Sequence, residues 1–243
     1  MNHIVKAFDE DVKRVGERFD LLLQAAADWT SKSCIAVATM DNVPAREVLV
    51  DDIYADPLRR EIFGASSLLL VKRAPFAIDF RRVITARDMS IDMTEVCGCA
   101  KRIAKEVIDL TSNAGALPIQ DFGFKPMADT VREQMESIVT AYSTEKVGNV
   151  NSAWEALRRV EDLDEQITRR IFSYLDGHNN AAVMGMRLIQ CAHQLRRISA
   201  HNARATEAVM FLVTGTVLLE QRVLPDEFIG SRFERTLVPK KAG

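Results

Sequence analysis

The stretch Val96-Cys97-Gly98-Cys99-Ala100-Lys101-Arg102-Ile103-Ala104-Lys105-Glu106-Val107-Ile108-Asp109-Leu110 returns in outline 102 residues later. Val96, Ala100, Val107 and Leu110 align with Ile198, Asn202, Val209 and Leu212 at helical steps of three, four and seven. The offset is constant and about the size of a small domain, so duplication is the better reading. Working outward, each copy closes a set of three helices.

In the first set, Ile4, Phe8, Val12, Val15, Phe19, Leu22 and Leu23 mark a helix over about 3–39. Asp41, Asn42, Val43 and Pro44 supply a stop, a cap and a first-turn proline. A second helix is expected from there to about Phe63, kinked or restarted at Pro57 because proline removes a donor. The third is expected from Pro75 to about Ser112, with Phe76, Phe80, Val83, Ile84, Ile91, Val96, Ile103, Val107 and Leu110 on its buried side. The clearest linker is 113–118. The second set follows over about 127–147, 151–175 and 181–214. The spacing gives an all-α chain of two tandem, pseudo-symmetric three-helix bundles, at 1–113 and 119–218. A poorly ordered tail is expected at 219–243.

Composition agrees. Eleven glycines and seven prolines in 243 residues are too few for a hairpin-rich sandwich or barrel. Charged residues make up 27% and hydrophobic ones 47%, a folded-protein balance. A net charge of −2 gives no general drive toward nucleic acid or anionic membrane. Asp9, Glu10 and Asp11 interrupt the N-terminus before any apolar core of a signal peptide can form. Residues 208–219 are too short an apolar run to span a bilayer. The four cysteines lack the spacing of a secreted framework, so the cytosol is the expected compartment.

Motifs for chemistry are scarce. No phosphate-binding loop, dinucleotide fingerprint, nucleophile elbow or His-Glu-x-x-His occurs. The residues three before His178, His193 and His201 are Leu175, Gln190 and Ile198, which argues against a di-iron carboxylate bundle. Ser143-Thr144-Glu145-Lys146 fits Ser-x-x-Lys without its companions and reads as chance. Cys97 and Cys99 point about 200° apart on a helix, so they read as small packing residues rather than a metal clamp. His193 and His201, two turns apart, read as partly buried histidines. The arginine doublets at 81–82, 158–159, 169–170 and 196–197 read as solvated faces paired with local acids.

Four segments carry a family resemblance: His3 to Lys13, Asp52-x-x-x-Asp56-x-Leu58, Ala74-Pro75-Phe76-Ala77-Ile78-Asp79-Phe80-Arg81, and Phe211-Leu212-Val213-Thr214-Gly215. They resemble, in the right order and over nearly the whole chain, the PhoU proteins, adaptors of bacterial phosphate signalling. That family places Leu-Glu-Arg-Ile-Gly-Asp-His in each half, where Glu and Asp one turn apart hold metal, often an iron cluster. Carboxylates at i and i+4 share a face and offer hard oxygen ligands. Here the first copy puts Thr94 and Gly98 in the acidic slots and the second puts Arg196 and Ala200 there. Asp88 and Asp92 lie about 120° away from that face and do not rebuild it. The old metal faces are therefore expected to be neutral or basic, and no cofactor is expected. Arg87, Lys101 and Lys105 share the first, and His193, Arg196 and Arg204 the second.

The resemblance implies a non-enzymatic adaptor that forms a homodimer. It would link a phosphate importer's ATPase subunit to a sensor histidine kinase and restrain the starvation response. It would meet the membrane only through those partners and bind no nucleic acid. The alternative is a small-anion sensor with phosphate bound where metal sat. What separates them is whether Arg196 and Arg204 are free or neutralised by Glu161, Asp162 and Glu165.

Overall fold

The computed structural model describes residues 2–50, 54–73, 75–113, 122–148, 150–178 and 181–216. Among them are seven helices and no strand: α1 (Asn2–Thr39), α2 (Asn42–Val50), α3 (Ala55–Arg73), α4 (Ala77–Asn113), α5 (Phe124–Thr144), α6 (Val150–Leu175) and α7 (Ala182–Thr214). α1, α4 and the α2–α3 pair form one three-helix unit; α5, α6 and α7 form the other. α4 lies against α7 and α1 against α5, so the two units share one continuous apolar core. Among the described residues no helix is long and apolar enough to cross a membrane.

The pairing of α4 with α7 exposes the internal symmetry. Glu95 accepts from Nη2 of Arg197 at 3.2 Å, and the two residues are 102 apart. A shift by that offset carries the Asp92–Arg204 pair onto Gln194–Arg102, and both contacts exist, at 3.0 and 3.3 Å. The same shift carries Thr85, whose hydroxyl donates to the Ala208 carbonyl, onto Arg187, which donates to Glu106. The helices are thus antiparallel about a pseudo-two-fold axis near Glu95 and Arg197. Leu22, Ala26, Trp29 and Ala36 of α1 likewise correspond to Phe124, Ala128, Val131 and Ile138 of α5, and all eight are buried. Phe19 and Tyr142 meet edge to face across that second seam, centroids 4.9 Å apart.

Several boundaries move. The second helix of the first unit is two: the side chain of Asp41 accepts from the N–H of Val43 at 2.9 Å to open α2, and α3 restarts at Ala55 with Pro57 in its first turn. α3 then runs ten residues past Phe63, because Ile62, Ser66 and Leu69 keep one buried face. α5 starts at Phe124, three residues before the expected 127. On α4, Phe76 just before it, Phe80 and Ile91 are exposed rather than buried; they flank the apolar stripe instead of lying in it. The linker at 114–118 and the tail at 219–243 lie outside the described residues.

Two glycines are required by what surrounds them. Gly123, before α5, has φ +94°, and a Cβ there would sit 2.7 Å from Nη1 of Arg170, which donates to the Phe122 carbonyl. Gly185 lets α7 approach α6: a Cβ would meet Cδ1 of Leu175 at 2.8 Å and Cγ2 of Ile171 at 3.1 Å. Overpacking of this kind costs about 1–3 kcal/mol. Gly185→Val should therefore lower stability by about 2 kcal/mol in chemical denaturation. An unchanged midpoint would mean that the α6–α7 hairpin opens freely to admit the side chain.

Candidate functional site

In the second unit the site is built from α6 upward. Leu157, Val160, Asp164, Ile167 and Ile171 are spaced three and four apart, and all are buried. Asp164 therefore holds a carboxylate where helical geometry calls for an apolar side chain. Its side chain is 8% exposed, and Nε of Arg196 on α7 reaches Oδ2 at 3.1 Å. Nε2 of His193, one turn before on α7, stands 3.8 Å from Oδ1, beyond hydrogen-bond reach. Oδ1 has no hydrogen-bond partner. Burial pushes the Asp164 carboxyl above its ordinary value; His193 and Arg196 pull it down, while Glu165 and Glu161 push it further up.

This corrects the expected acid partners of Arg196. Glu161, Asp162 and Glu165 lie on the solvent side of α6, and Glu165 is taken by Arg169 at 2.7 Å. Asp164, between them in sequence, turns inward and meets the arginine. Arg204 is also paired: its Nε donates to Oδ1 of Asp92 on α4 at 3.0 Å. Nδ1 of His201 stands 2.8 Å from the same oxygen, and Nη2 of Arg204 lies against that ring nitrogen. Asp92, which does not rebuild the family face, instead anchors the α4–α7 seam.

The first unit solves the same position without charge. Ile62 of α3, wholly buried, corresponds to Asp164, and Thr94 corresponds to Arg196. The Thr94 hydroxyl bonds its own helix at the Ser90 carbonyl, 2.8 Å away. Arg87 lies over the ring of Phe63 at 4.7 Å, and the Lys101 ammonium over Trp29 at 4.3 Å. Lys105 is exposed. The six basic candidates are thus not one surface: three lie along α4, and three on α7 beside Asp164 and Asp92.

Cys34, Cys97, Cys99 and Cys191 are all buried. Burial pushes the Cys34 thiol up to about 12 and raises Cys99 and Cys191 as well, so these three are neutral thiols, poor nucleophiles and poor ligands.

The metal that the resemblance implies does not fit these residues. A threonine bonded to its own helix, a glycine and an alanine offer no hard ligand, and Arg196 already occupies the Asp164 carboxylate. Among the described residues no three His, Cys, Asp or Glu side chains converge as a metal cluster. Protein purified without chelators should carry far less than one iron, manganese or zinc per chain by elemental mass spectrometry. Stoichiometric metal would overturn this and point first at Asp164 and His193.

Residues 124–209 match the PhoU domain model. A curated relative from Rhizobium meliloti (strain 1021), the phosphate-specific transport system accessory protein PhoU homolog, is 24% identical over 213 residues, 88% of this chain and 90% of that one. A Caulobacter vibrioides (strain NA1000 / CB15N) protein of the same name is 24% identical over 220 residues, covering 90% of this chain and 95% of its own. Among solved structures, PhoU from Pseudomonas aeruginosa superposes with a TM-score of 0.76 at 19% identity, covering 86% of this chain and all of that one. PhoU from Streptococcus pneumoniae gives 0.70, at 19% identity over 87% of this chain and 99% of its own. The chain is thus a duplicated pair of three-helix units that folds as in those crystals, matches the PhoU domain model in its second unit and is similar in sequence to PhoU homologues along about nine-tenths of its length.

Proposed function

We propose that this chain is a regulatory adaptor of phosphate homeostasis, joining a phosphate importer's ATPase subunit to a sensor histidine kinase and restraining the phosphate-starvation response. The observation that carries this is the likeness, over about nine-tenths of the chain, to proteins named as accessory to phosphate-specific transport. The named role is accessory and regulatory, which suits a chain that acts by presenting rigid helical faces rather than by catalysis. It works in the cytoplasm as a homodimer and reaches the membrane through its partners.

The anion-sensing alternative required Arg196 and Arg204 to be free. Asp164 and Asp92 neutralise them, which favours the adaptor. A tagged chain recovered from phosphate-replete cells should bring down the importer ATPase and the kinase, and less of them from starved cells. Deleting the gene should raise phosphatase output in phosphate-rich medium. Recovery of neither protein, with unchanged phosphatase, would overturn the adaptor reading.

A further inference from the structure

The basic residues of the two units differ in one respect that matters for binding. Those of α7 face carboxylates. Among the described residues, Arg87, Lys101 and Lys105 form no ion pair, and the acids around them, Asp88 aside, are committed elsewhere. On α4 itself, Asp92, Glu95, Glu106 and Asp109 turn to Arg204, Arg197 and Arg187 of α7. On the neighbouring helices Glu61 is taken by Arg18 at 2.7 Å and Glu47 by Lys32 at 3.2 Å. Asp88, beside Arg87 in sequence, acts on it through charge without an ion pair.

Aromatic rings hold two of these cations instead. Phe63 and Trp29 fix Arg87 and Lys101 in place without cancelling their charge. Positions 87, 101 and 105 fall on one face of α4, and at 1.5 Å per residue the row is about 27 Å long, with about 21 Å between the first two. A compact anion cannot bridge that span. Exposed apolar side chains sit beside the row: Ile91 is 53% and Phe63 48% exposed. Gly98 leaves the middle open, since a Cβ there would meet only the Arg102 guanidinium at 3.9 Å.

We propose that the α4 row of Arg87, Lys101 and Lys105, with Ile91 and Phe63 as apolar anchors, docks an acidic amphipathic helix of a partner protein. Charge complementarity selects the acidic side, and the length of the row selects a helix of about five turns over a free anion. This deepens the adaptor reading and rests on it.

The probe is a fluorescent, synthetic 20-residue helix with leucines on one stripe and glutamates along its edges, titrated against the full chain. Lys101→Glu/Lys105→Glu and Ile91→Asp should each weaken binding at least tenfold, and Arg158→Glu/Arg159→Glu on α6 should leave it unchanged. Lys105→Glu alone, an exposed change, gives a folded variant if the double substitution misfolds, and should weaken binding severalfold. Equal binding of a scrambled peptide, or indifference to the α4 variants, would overturn the proposal. So would tighter binding to phosphatidylglycerol vesicles than to the peptide, or displacement by inorganic phosphate beyond that by chloride of equal ionic strength. Recovery of the importer ATPase and kinase by the same variants separates the two ideas. If Lys105→Glu still recovers both in full, the face is wrong and the adaptor stands. If the native chain recovers neither, the adaptor reading fails while the peptide still decides the face.

Discussion

Arg196→Glu should destabilise the chain by about 3 kcal/mol in metal-free buffer at neutral pH, with partial recovery on adding manganese or ferrous iron. Stranding a buried charge costs roughly 3–5 kcal/mol, and the lower end applies because Arg196 itself is 46% exposed. Asp164 is 8% exposed and would face a new carboxylate, with Glu161 and Glu165 close behind. The pH dependence has a definite sign. Burial already raises the Asp164 carboxyl, so the native state takes up a proton that the unfolded chain does not hold above its ordinary range. Removing the guanidinium raises it further. The deficit should therefore be largest at neutral pH and shrink as pH falls through the raised value. Recovery with metal follows from the donor set, because the introduced carboxylate, Asp164 and the His193 imidazole are all capable ligands. Thermal melts of variant and parent, with and without metal, at pH 5 and 7.5, measure all three effects. Coincident melts would show that Arg196 is merely solvated.

Trp29→Ala should cost about 3–5 kcal/mol, among the largest effects of any single truncation in the chain. The indole is 1% exposed in α1, within the core shared by both units. Its loss leaves a cavity that the surrounding long helices cannot easily close. It also removes the ring beneath the Lys101 ammonium, so the row on α4 loses one fixed position. Trp29→Phe should lose much less, because a ring remains. Urea unfolding followed by circular dichroism gives both values. A loss under 1 kcal/mol for the alanine variant would mean that α1 repacks.

The long helices were legible because their apolar steps are regular over many turns, and the repeat at α4 and α7 was visible on the same ground. What misled was local. The run Gly64 to Val71 carries no charge, so it shows no polar face by which to recognise a surface helix. Ser66 nonetheless continues the buried face and returns its hydroxyl to the Phe63 carbonyl. Phe76, Phe80 and Ile91 keep close to the helical spacing of the buried side, yet they sit at the edge of the stripe and are exposed. Asp164 was hidden in the acidic string Glu161-Asp162-Leu163-Asp164-Glu165. The signal was present: only Asp164 keeps step with Leu157, Val160, Ile167 and Ile171. The pairs Arg204–Asp92 and Arg197–Glu95 join residues more than a hundred positions apart, and no spacing within one helix reveals them.

The antiparallel seam between α4 and α7 also restricts how such a gene can change length. Every cross-pair from Thr85–Ala208 through Asp92–Arg204 and Glu95–Arg197 to Glu106–Arg187 depends on one fixed alignment of the two helices. Deleting a single codon inside either helix would turn everything beyond it by about 100° and slide it 1.5 Å, breaking each later pair at once. Substitutions can accumulate one half at a time, as Ile62 and Asp164 show. Insertions and deletions cannot; along these two helices, descendants of the duplication are free to drift in letters but not in frame.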